Sequence, residues 1–216
     1  MARRTKEDAA RTRLKILKAA MELFSTKGYD RTTFEDVAIR IKLTKGAVYW
    51  HFSSKPELLR QVVIYIFDEA TGDRMIINSQ PETFDGLRSG LKVWMSRVLT
   101  KPQNRKNVKM LFALDWTRPA LKDVVEQFKE LDNSVMNVTA VALKKMQESG
   151  EIRADVDIHN FAYTIGLTWI GMLHCQLNVD DKEYEVNDIV DCLMDSVGKS
   201  ILVGATPVLL CPSKGK

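Results

Sequence analysis

Residues 33–52, TFEDVAIRIKLTKGAVYWHF, carry the most informative pattern in this chain. Apolar residues recur at helical spacing in its first half: Phe34, Val37, Ala38 and Ile41. Thr33, with Asp36 three residues later, predicts a capped helix start. Thr44 is a second N-cap candidate, so a further helix about two turns long is predicted to follow it. Two short helices joined by a tight connection are the outline of a helix-turn-helix.

The second of these helices carries residue types suited to DNA. Lys45 can reach a phosphate or a guanine edge, and Gly46 removes side-chain bulk where a helix N-terminus must approach the sugar-phosphate backbone. Thr44 can cap the helix and also donate to phosphate, and Ala47 is small enough to meet a thymine methyl. The helix is therefore predicted to enter the major groove.

Five larger side chains complete the segment. Tyr49 and His51 are predicted to place polar tips on the exposed face, whereas Val48 and Phe52, four residues apart, are predicted to face the core. Tyr49 and Trp50 could instead form a surface patch on an ordinary core helix. The caps on both helices favour the groove-reading interpretation.

Two longer strings resemble the DNA-binding domain of the TetR family of bacterial transcriptional regulators. They are RLKILKAAMELFSTKGYDRTTFEDVA (residues 13–38) and LTKGAVYWHFSSKPELL (residues 43–59). The opening MARRTKEDAARTR and the string YWHF look most like repressors of multidrug efflux pumps. The predicted DNA contacts are Thr33, Lys42, Thr44, Lys45, Gly46, Ala47, Tyr49, Trp50, His51 and Lys55.

The resemblance implies a two-domain homodimer. Residues 1–53 would bind double-stranded DNA and residues 54–204 would form a helical body, with a loose tail at 205–216. That body would bind a small apolar effector and dimerise through its last two long helices. Repression is what the family implies, and no cofactor is predicted. The odd number and wide spacing of the three cysteines predict a reduced cytoplasm.

One position departs from the family pattern. The turn between the second and third helices usually carries glycine where this chain has Lys42. A left-handed lysine costs about 1 kcal/mol relative to glycine, which a phosphate contact could offset.

Charge supports a polyanion partner for the N-terminal part of the chain. Residues 1–60 carry 14 Lys and Arg against 7 Asp and Glu, whereas the remaining residues carry 18 against 21. Such an asymmetry favours nucleic acid or an anionic membrane surface as a partner.

The rest of the chain also predicts helices, so the fold class is all-α. Leu14, Leu17, Met21 and Phe24 are predicted to form the inner stripe of the first helix, which Gly28 ends. A capping box at Ser54 and Glu57 predicts the fourth helix. Later apolar stripes run from Phe84 to Val98, Val108 to Phe112, Leu121 to Met146, Ile158 to Leu177 and Ile189 to Ile201.

Aromatic residues and methionines in the body could line an effector cavity, because such side chains adapt to varied shapes. The predicted effector contacts are Trp94, Phe112, Trp116, Phe128, Met136, Trp169 and Met172. The predicted dimer interface is Gly166, Gly171, Ile189, Leu193 and Val197.

Two other functional classes fit the sequence less well. An enzyme would need a cofactor loop or a nucleophile with its base, and the sequence contains no G-x-G-x-x-G, P-loop or H-E-x-x-H pattern. His51 and the His174–Cys175 pair lack partners at metal-ligand spacing, so no catalytic or metal residue is predicted. A membrane protein could use the uncharged segment 159–179, but seven polar residues interrupt it and acidic residues flank it.

Overall fold

A computed structural model describes residues 6–70, 81–178 and 185–204 of the chain. The predicted tail at 205–216 and the basic residues Arg3 and Arg4 lie outside these ranges. The described helices are α1 (Lys6–Lys27), α2 (Phe34–Arg40), α3 (Lys45–His51), α4 (Lys55–Ala70), α5 (Phe84–Thr100), α6 (Pro102–Ala113), α7 (Lys122–Glu148), α8 (Ile158–Asn178) and α9 (Val186–Ile201). Within the described ranges, strand-like pairing is limited to one bridge between Ile152 and Leu202, so the all-α prediction is confirmed.

The chain divides into two compact units. The first contains residues Met1–Glu69 and Lys101–Leu131, and the second contains Ala70–Thr100 and Asp132–Lys216. This division reflects which residues pack together. The boundary predicted between residues 53 and 54 instead separates the DNA-binding part of the chain from the ligand-binding and dimerisation part, and it stays a prediction.

The core of the first unit joins helices that are distant in sequence. Phe24 of α1, Val37 of α2, Val48 of α3 and Leu58 of α4 are at most 1% exposed and belong to one apolar cluster. Met110 of α6 belongs to the same cluster. Each of these helices buries one apolar stripe in this shared core, and the core therefore fixes the position of the helix-turn-helix.

The predicted inner stripe of α1 is wrong at Leu14, which is 42% exposed. The buried sector instead contains Ile16, Ala20 and Phe24, all at most 1% exposed. Side chains two positions apart on an α-helix point in directions that differ by roughly 200°, so Leu14 faces away from Ile16.

The turn between α1 and α2 depends on a residue that the sequence did not single out. Thr32 is 1% exposed, and its hydroxyl donates to the Gly28 carbonyl at 2.8 Å. Gly28 has φ +92°, a left-handed conformation that glycine adopts without steric cost. This turn sets the direction in which the chain enters α2.

In the second unit, α5 packs against α8 and α9. The α5–α9 contact combines buried apolar residues with ion pairs, because Arg88 contacts Asp195 at 2.6 Å and the Lys92 ammonium donates to Asp191 at 2.6 Å. Helix α8 occupies the uncharged segment, buries one face and exposes Tyr163, Leu167 and Ile170 by 38–56%. No helix in the described ranges combines the length and apolarity needed to cross a bilayer.

Candidate nucleic-acid interface

The predicted caps of α2 and α3 are both present. The Thr33 hydroxyl accepts from the Asp36 backbone N–H at 3.1 Å, and the Asp36 carboxylate accepts from the Thr33 backbone N–H at 2.7 Å. The Thr44 hydroxyl accepts from the Ala47 backbone N–H at 3.2 Å. Because each cap satisfies N–H groups that helices leave unpaired, two very short helices begin at fixed residues.

Charge around Asp36 reinforces the start of α2. The Lys27 ammonium lies 2.7 Å from the Asp36 carboxylate. Hydrogen bonds from Lys27 and then from Thr33 lower the pKa of Asp36 to about 2. The carboxylate therefore stays ionised at a helix N-terminus, where negative charge is favoured, and its stabilising effect is lost as the pH falls towards 2.

Helix α3 separates a buried face from an exposed one. Val48 and Phe52 are at most 1% exposed, as predicted, whereas Tyr49 and Trp50 are 53% and 73% exposed. The Tyr49 ring packs edge-on against Phe34, with 4.7 Å between ring centroids. Large aromatic groups thus project into solvent from a helix whose other side is anchored in the core.

The first turn of α3 is open to an approaching surface. Lys45 and Gly46 are both exposed. A Cβ built on Gly46 would meet the Thr44 hydroxyl at 4.0 Å and no closer atom outside its immediate neighbours. A side chain at this position is therefore compatible with the fold, so folding does not explain the glycine.

The turn between α2 and α3 forms a Schellman motif around Lys42. The Lys42 backbone N–H donates to the Ile39 carbonyl at 3.2 Å, and the Leu43 N–H donates to the Ala38 carbonyl at 2.9 Å. Lys42 itself has φ +57°. This is the position where such motifs usually carry glycine. The anticipated left-handed lysine is confirmed, and Lys42 is exposed.

The remaining predicted DNA contacts are engaged within the protein. The Lys55 ammonium donates to the Asp30 carbonyl at 3.0 Å and lies 4.4 Å from the centroid of the Tyr29 ring. Burial, opposed by the charge of Asp30, lowers the pKa of Lys55. His51 is half-buried, with its ring 4.6 Å from that of Trp50. DNA contact by these residues stays a prediction.

The seven predicted effector residues fall in different places. Phe112, Trp116 and Phe128 lie in the first unit, and Trp94, Met136, Trp169 and Met172 lie in the second. Trp116 and Phe128 stack with ring centroids 4.9 Å apart and pack against the first unit's core. The effector assignments stay predictions.

A surface cleft of about 420 Å³ lies in the first unit, and none of those seven residues lines it. Its walls include Phe24, Tyr29, Asp30, Lys109 and Arg118. Arg118 forms an ion pair with Asp30 there. Among the residues that the structure describes, no three His, Cys, Asp or Glu side chains are placed to hold a metal ion.

The predicted interface residues also differ in their surroundings. Gly166 is buried, whereas Gly171 is exposed with open space around it. Ile189 and Val197 of α9 are half-buried. Leu193 lies on the same helix, between them in sequence. The exposed stripe of Tyr163, Leu167 and Ile170 on α8 was not predicted, because a uniformly apolar helix gives no periodic signal for its outer face.

Similarities to known proteins agree with this geometry. Residues 16–62 match the family model described as "Bacterial regulatory proteins, tetR family". The chain is 31% identical over 180 residues to the HTH-type transcriptional regulator TtgR of Pseudomonas putida, across 77% of this chain and 83% of that protein.

Two solved structures share the fold. One is NalD, the secondary repressor of the MexAB-OprM multidrug efflux pump in Pseudomonas aeruginosa, with a TM-score of 0.73, 20% identity, and coverage of 92% of this chain and 100% of that one. The other is SmeT, the repressor of the Stenotrophomonas maltophilia multidrug efflux pump SmeDEF, with a TM-score of 0.70, 21% identity, and coverage of 93% and 96%. SmeT has also been solved as a complex with triclosan.

Proposed function

Since this chain belongs to the TetR family of bacterial transcriptional regulators, we propose that it is a homodimeric repressor whose α3 helices read an operator and which a small apolar effector releases. The observation that carries the proposal is the division of α3. Val48 and Phe52 anchor the helix, while Lys45, Gly46, Tyr49 and Trp50 remain on its open side. Lys45 supplies a cation, Gly46 leaves room for close approach, and Tyr49 and Trp50 supply two amphipathic rings. Together these features suit contact with a phosphate backbone and base edges.

A homodimer is supported by the exposed apolar stripe on α8. Tyr163, Leu167 and Ile170 recur at helical spacing, and a second copy of the chain would cover them. Each subunit would then place one α3 in one half-site of a roughly palindromic operator, with half-site centres about 34 Å or a small multiple apart.

Release by an effector requires that the effector and the operator prefer different states of the protein. An apolar ligand suits a body rich in methionine and aromatic residues. Triclosan in SmeT, and the efflux-pump roles of SmeT and NalD, support drug efflux as the regulated process.

The test is fluorescence anisotropy of the full-length protein on the duplex upstream of its own gene, against a scrambled duplex near physiological salt. We expect a preference of about a thousandfold for the upstream duplex. Sedimentation of the same preparation should show a dimer. Equal, weak affinity for both duplexes would contradict control of its own promoter region.

Replacing Lys45 by alanine should weaken operator binding about tenfold, which matches the loss of one charge-assisted hydrogen bond. Because one phosphate contact disappears, the plot of log affinity against log salt should become shallower by about 0.9. Anisotropy at several salt concentrations measures both quantities. Lys144→Ala, which removes an exposed lysine of the second unit, is the matched control and should change neither. An unchanged slope in Lys45→Ala would show that Lys45 does not contact phosphate.

Replacing Lys42 by glycine should separate folding from DNA binding. Glycine relieves the left-handed strain, so the free energy of unfolding should rise by about 1 kcal/mol in urea denaturation. The salt slope of operator binding should fall by about 0.9, because the cation is gone. Lys42→Ala is the control that keeps the strain and removes the charge: it should lower the slope without raising stability. If the slope stays at the wild-type value in both variants, the turn makes no phosphate contact.

A further inference from the structure

The indole N–H of Trp169 is buried without a partner. Trp169 is 6% exposed, and no acceptor among the described residues lies within hydrogen-bonding distance of its Nε1. Trp116 of the first unit shows the usual outcome, since its Nε1 donates to the Leu111 carbonyl at 3.0 Å. A buried tryptophan normally finds an acceptor, because an unsatisfied donor loses its hydrogen bonds to water without replacement.

The surroundings of Trp169 contain a replaceable group. Gly166 and Trp169 lie three residues apart on α8, so they share one face of the helix, and side chains of an α-helix lean towards its N-terminus. The end of Met136, from α7, fills the space over that glycine. A Cβ built on Gly166 would lie 1.9 Å from the Met136 Cε and 2.3 Å from its Sδ. A flexible thioether, which can adopt other rotamers, therefore occupies the space over Gly166, one helical turn before the unpaired donor.

The segments of α7 and α8 at this point carry no charged residue, and the cations Arg88 and Lys92 of α5, which packs against α8, are paired with carboxylates of α9. Residues 158–178 of α8 and residues 136–143 of α7 contain no Asp, Glu, Lys or Arg. An ionised ligand would find no counter-charge on either segment and would lose its hydration, so this site suits a neutral molecule.

We propose that Trp169 is the hydrogen-bond donor of an effector site for neutral aromatic molecules that carry a single acceptor oxygen, and that such a ligand displaces the end of Met136 from Gly166. This inference rests on the effector-responsive role proposed above. It adds the class of ligand and the atom that recognises it. The oxygen satisfies the indole N–H, and the rings take the apolar volume that the thioether vacates.

The test uses two probes of nearly the same shape, benzophenone and 1,1-diphenylethylene, which differ in whether the central group is a carbonyl or a methylene. Isothermal titration calorimetry of the full-length protein measures both affinities. Trp169→Phe should weaken benzophenone binding about 2- to 10-fold, the range expected for one hydrogen bond, and should leave 1,1-diphenylethylene within about twofold. Trp50→Phe, which makes the same substitution at an exposed tryptophan of the first unit, is the matched control and should preserve both affinities in the absence of DNA.

A second measurement observes the donor directly. In ¹H–¹⁵N spectra the chain has four indole signals, one for each tryptophan, and Trp169→Phe identifies the relevant one. Benzophenone should move that proton signal downfield, and 1,1-diphenylethylene should not. Met136→Ala, which empties the space over Gly166, should bind both probes several-fold more tightly because no side chain has to be displaced.

Three results would overturn the inference: no binding of benzophenone to the wild-type protein, equal losses for the two probes in Trp169→Phe, or an unmoved Trp169 signal at saturation. Operator affinity measured on the same samples separates this failure from a failure of the proposed function. If the operator preference persists, the effector site alone is wrong; if it is absent, the regulatory role is wrong as well.

Discussion

Substituting Gly46 is expected to weaken operator binding by one to two orders of magnitude while leaving the protein at least as stable as the wild type. Gly46→Ala should reduce operator affinity about tenfold and Gly46→Leu about a hundredfold, which correspond to losses of roughly 1.4 and 2.8 kcal/mol. The reason is distance: a side chain at the first turn of α3 would hold the helix away from the sugar-phosphate backbone. The protein itself has room for it, because the Thr44 hydroxyl, 4.0 Å away, is the nearest atom that the new Cβ would meet.

The stability of the same variants is the internal control. Alanine favours a helix over glycine by about 0.5–1 kcal/mol, so Gly46→Ala should unfold at a slightly higher urea concentration. Anisotropy on the operator and urea denaturation followed by circular dichroism measure the two quantities. Wild-type affinity in Gly46→Leu would mean that the start of α3 does not lie against DNA.

Replacing Phe52 by alanine is expected to lower the free energy of unfolding by about 3–5 kcal/mol, as for other fully buried phenylalanines. Phe52 is 1% exposed in the core of the first unit, and the Arg13 guanidinium lies 4.7 Å from the centroid of its ring. Its backbone N–H ends α3 by donating to the Val48 carbonyl at 3.0 Å. Proteins are stable by only about 5–15 kcal/mol, so this loss should leave a measurable unfolded fraction in mild urea.

Trp50 provides the matched control, since it is an aromatic residue of the same helix that is 73% exposed. Trp50→Ala should stay within about 0.5 kcal/mol of wild-type stability, as surface substitutions usually do. It should nevertheless weaken operator binding. In urea denaturation, Phe52→Ala should therefore lose much more stability than Trp50→Ala. In operator anisotropy, Trp50→Ala should lose affinity although its stability is close to that of the wild type. Equal destabilisation by both would contradict the division of α3 into a buried and an exposed face.

The sequence predicted the local features of α2 and α3 well, because those features depend on residues that are close together in sequence. The caps at Thr33 and Thr44 and the buried pair of Val48 and Phe52 are present. The predicted box at the start of α4 is half present. The Ser54 hydroxyl accepts from the Glu57 N–H at 3.2 Å, but the Glu57 carboxylate takes the Ser53 N–H at 2.7 Å. Adjacent serines offer alternative donors that a pattern of spacings does not distinguish.

Features that depend on tertiary packing could not be predicted as well from the sequence. The exposure of Leu14 and the burial of Thr32 follow from how α1 meets its neighbours, and the sequence of α1 alone does not contain that information. Effector residues are harder still, because cavities and cores use the same apolar side chains. Trp116 and Phe128, whose ring centroids lie 4.9 Å apart and whose rings pack against the first unit's core, fit both descriptions. The unpaired indole of Trp169 has no sequence signal at all.

The left-handed lysine in the Schellman turn has a further consequence at the level of the gene. Lysine codons differ from glycine codons at both of their first two bases, so a single base change does not convert Lys42 to glycine. One intermediate is arginine, which keeps the cation and the backbone strain. The other is glutamate, which under the proposed phosphate contact would set a carboxylate against the phosphates. A change from Lys42 to glycine must therefore pass through arginine, which does not improve folding, or through glutamate, which would impair repression.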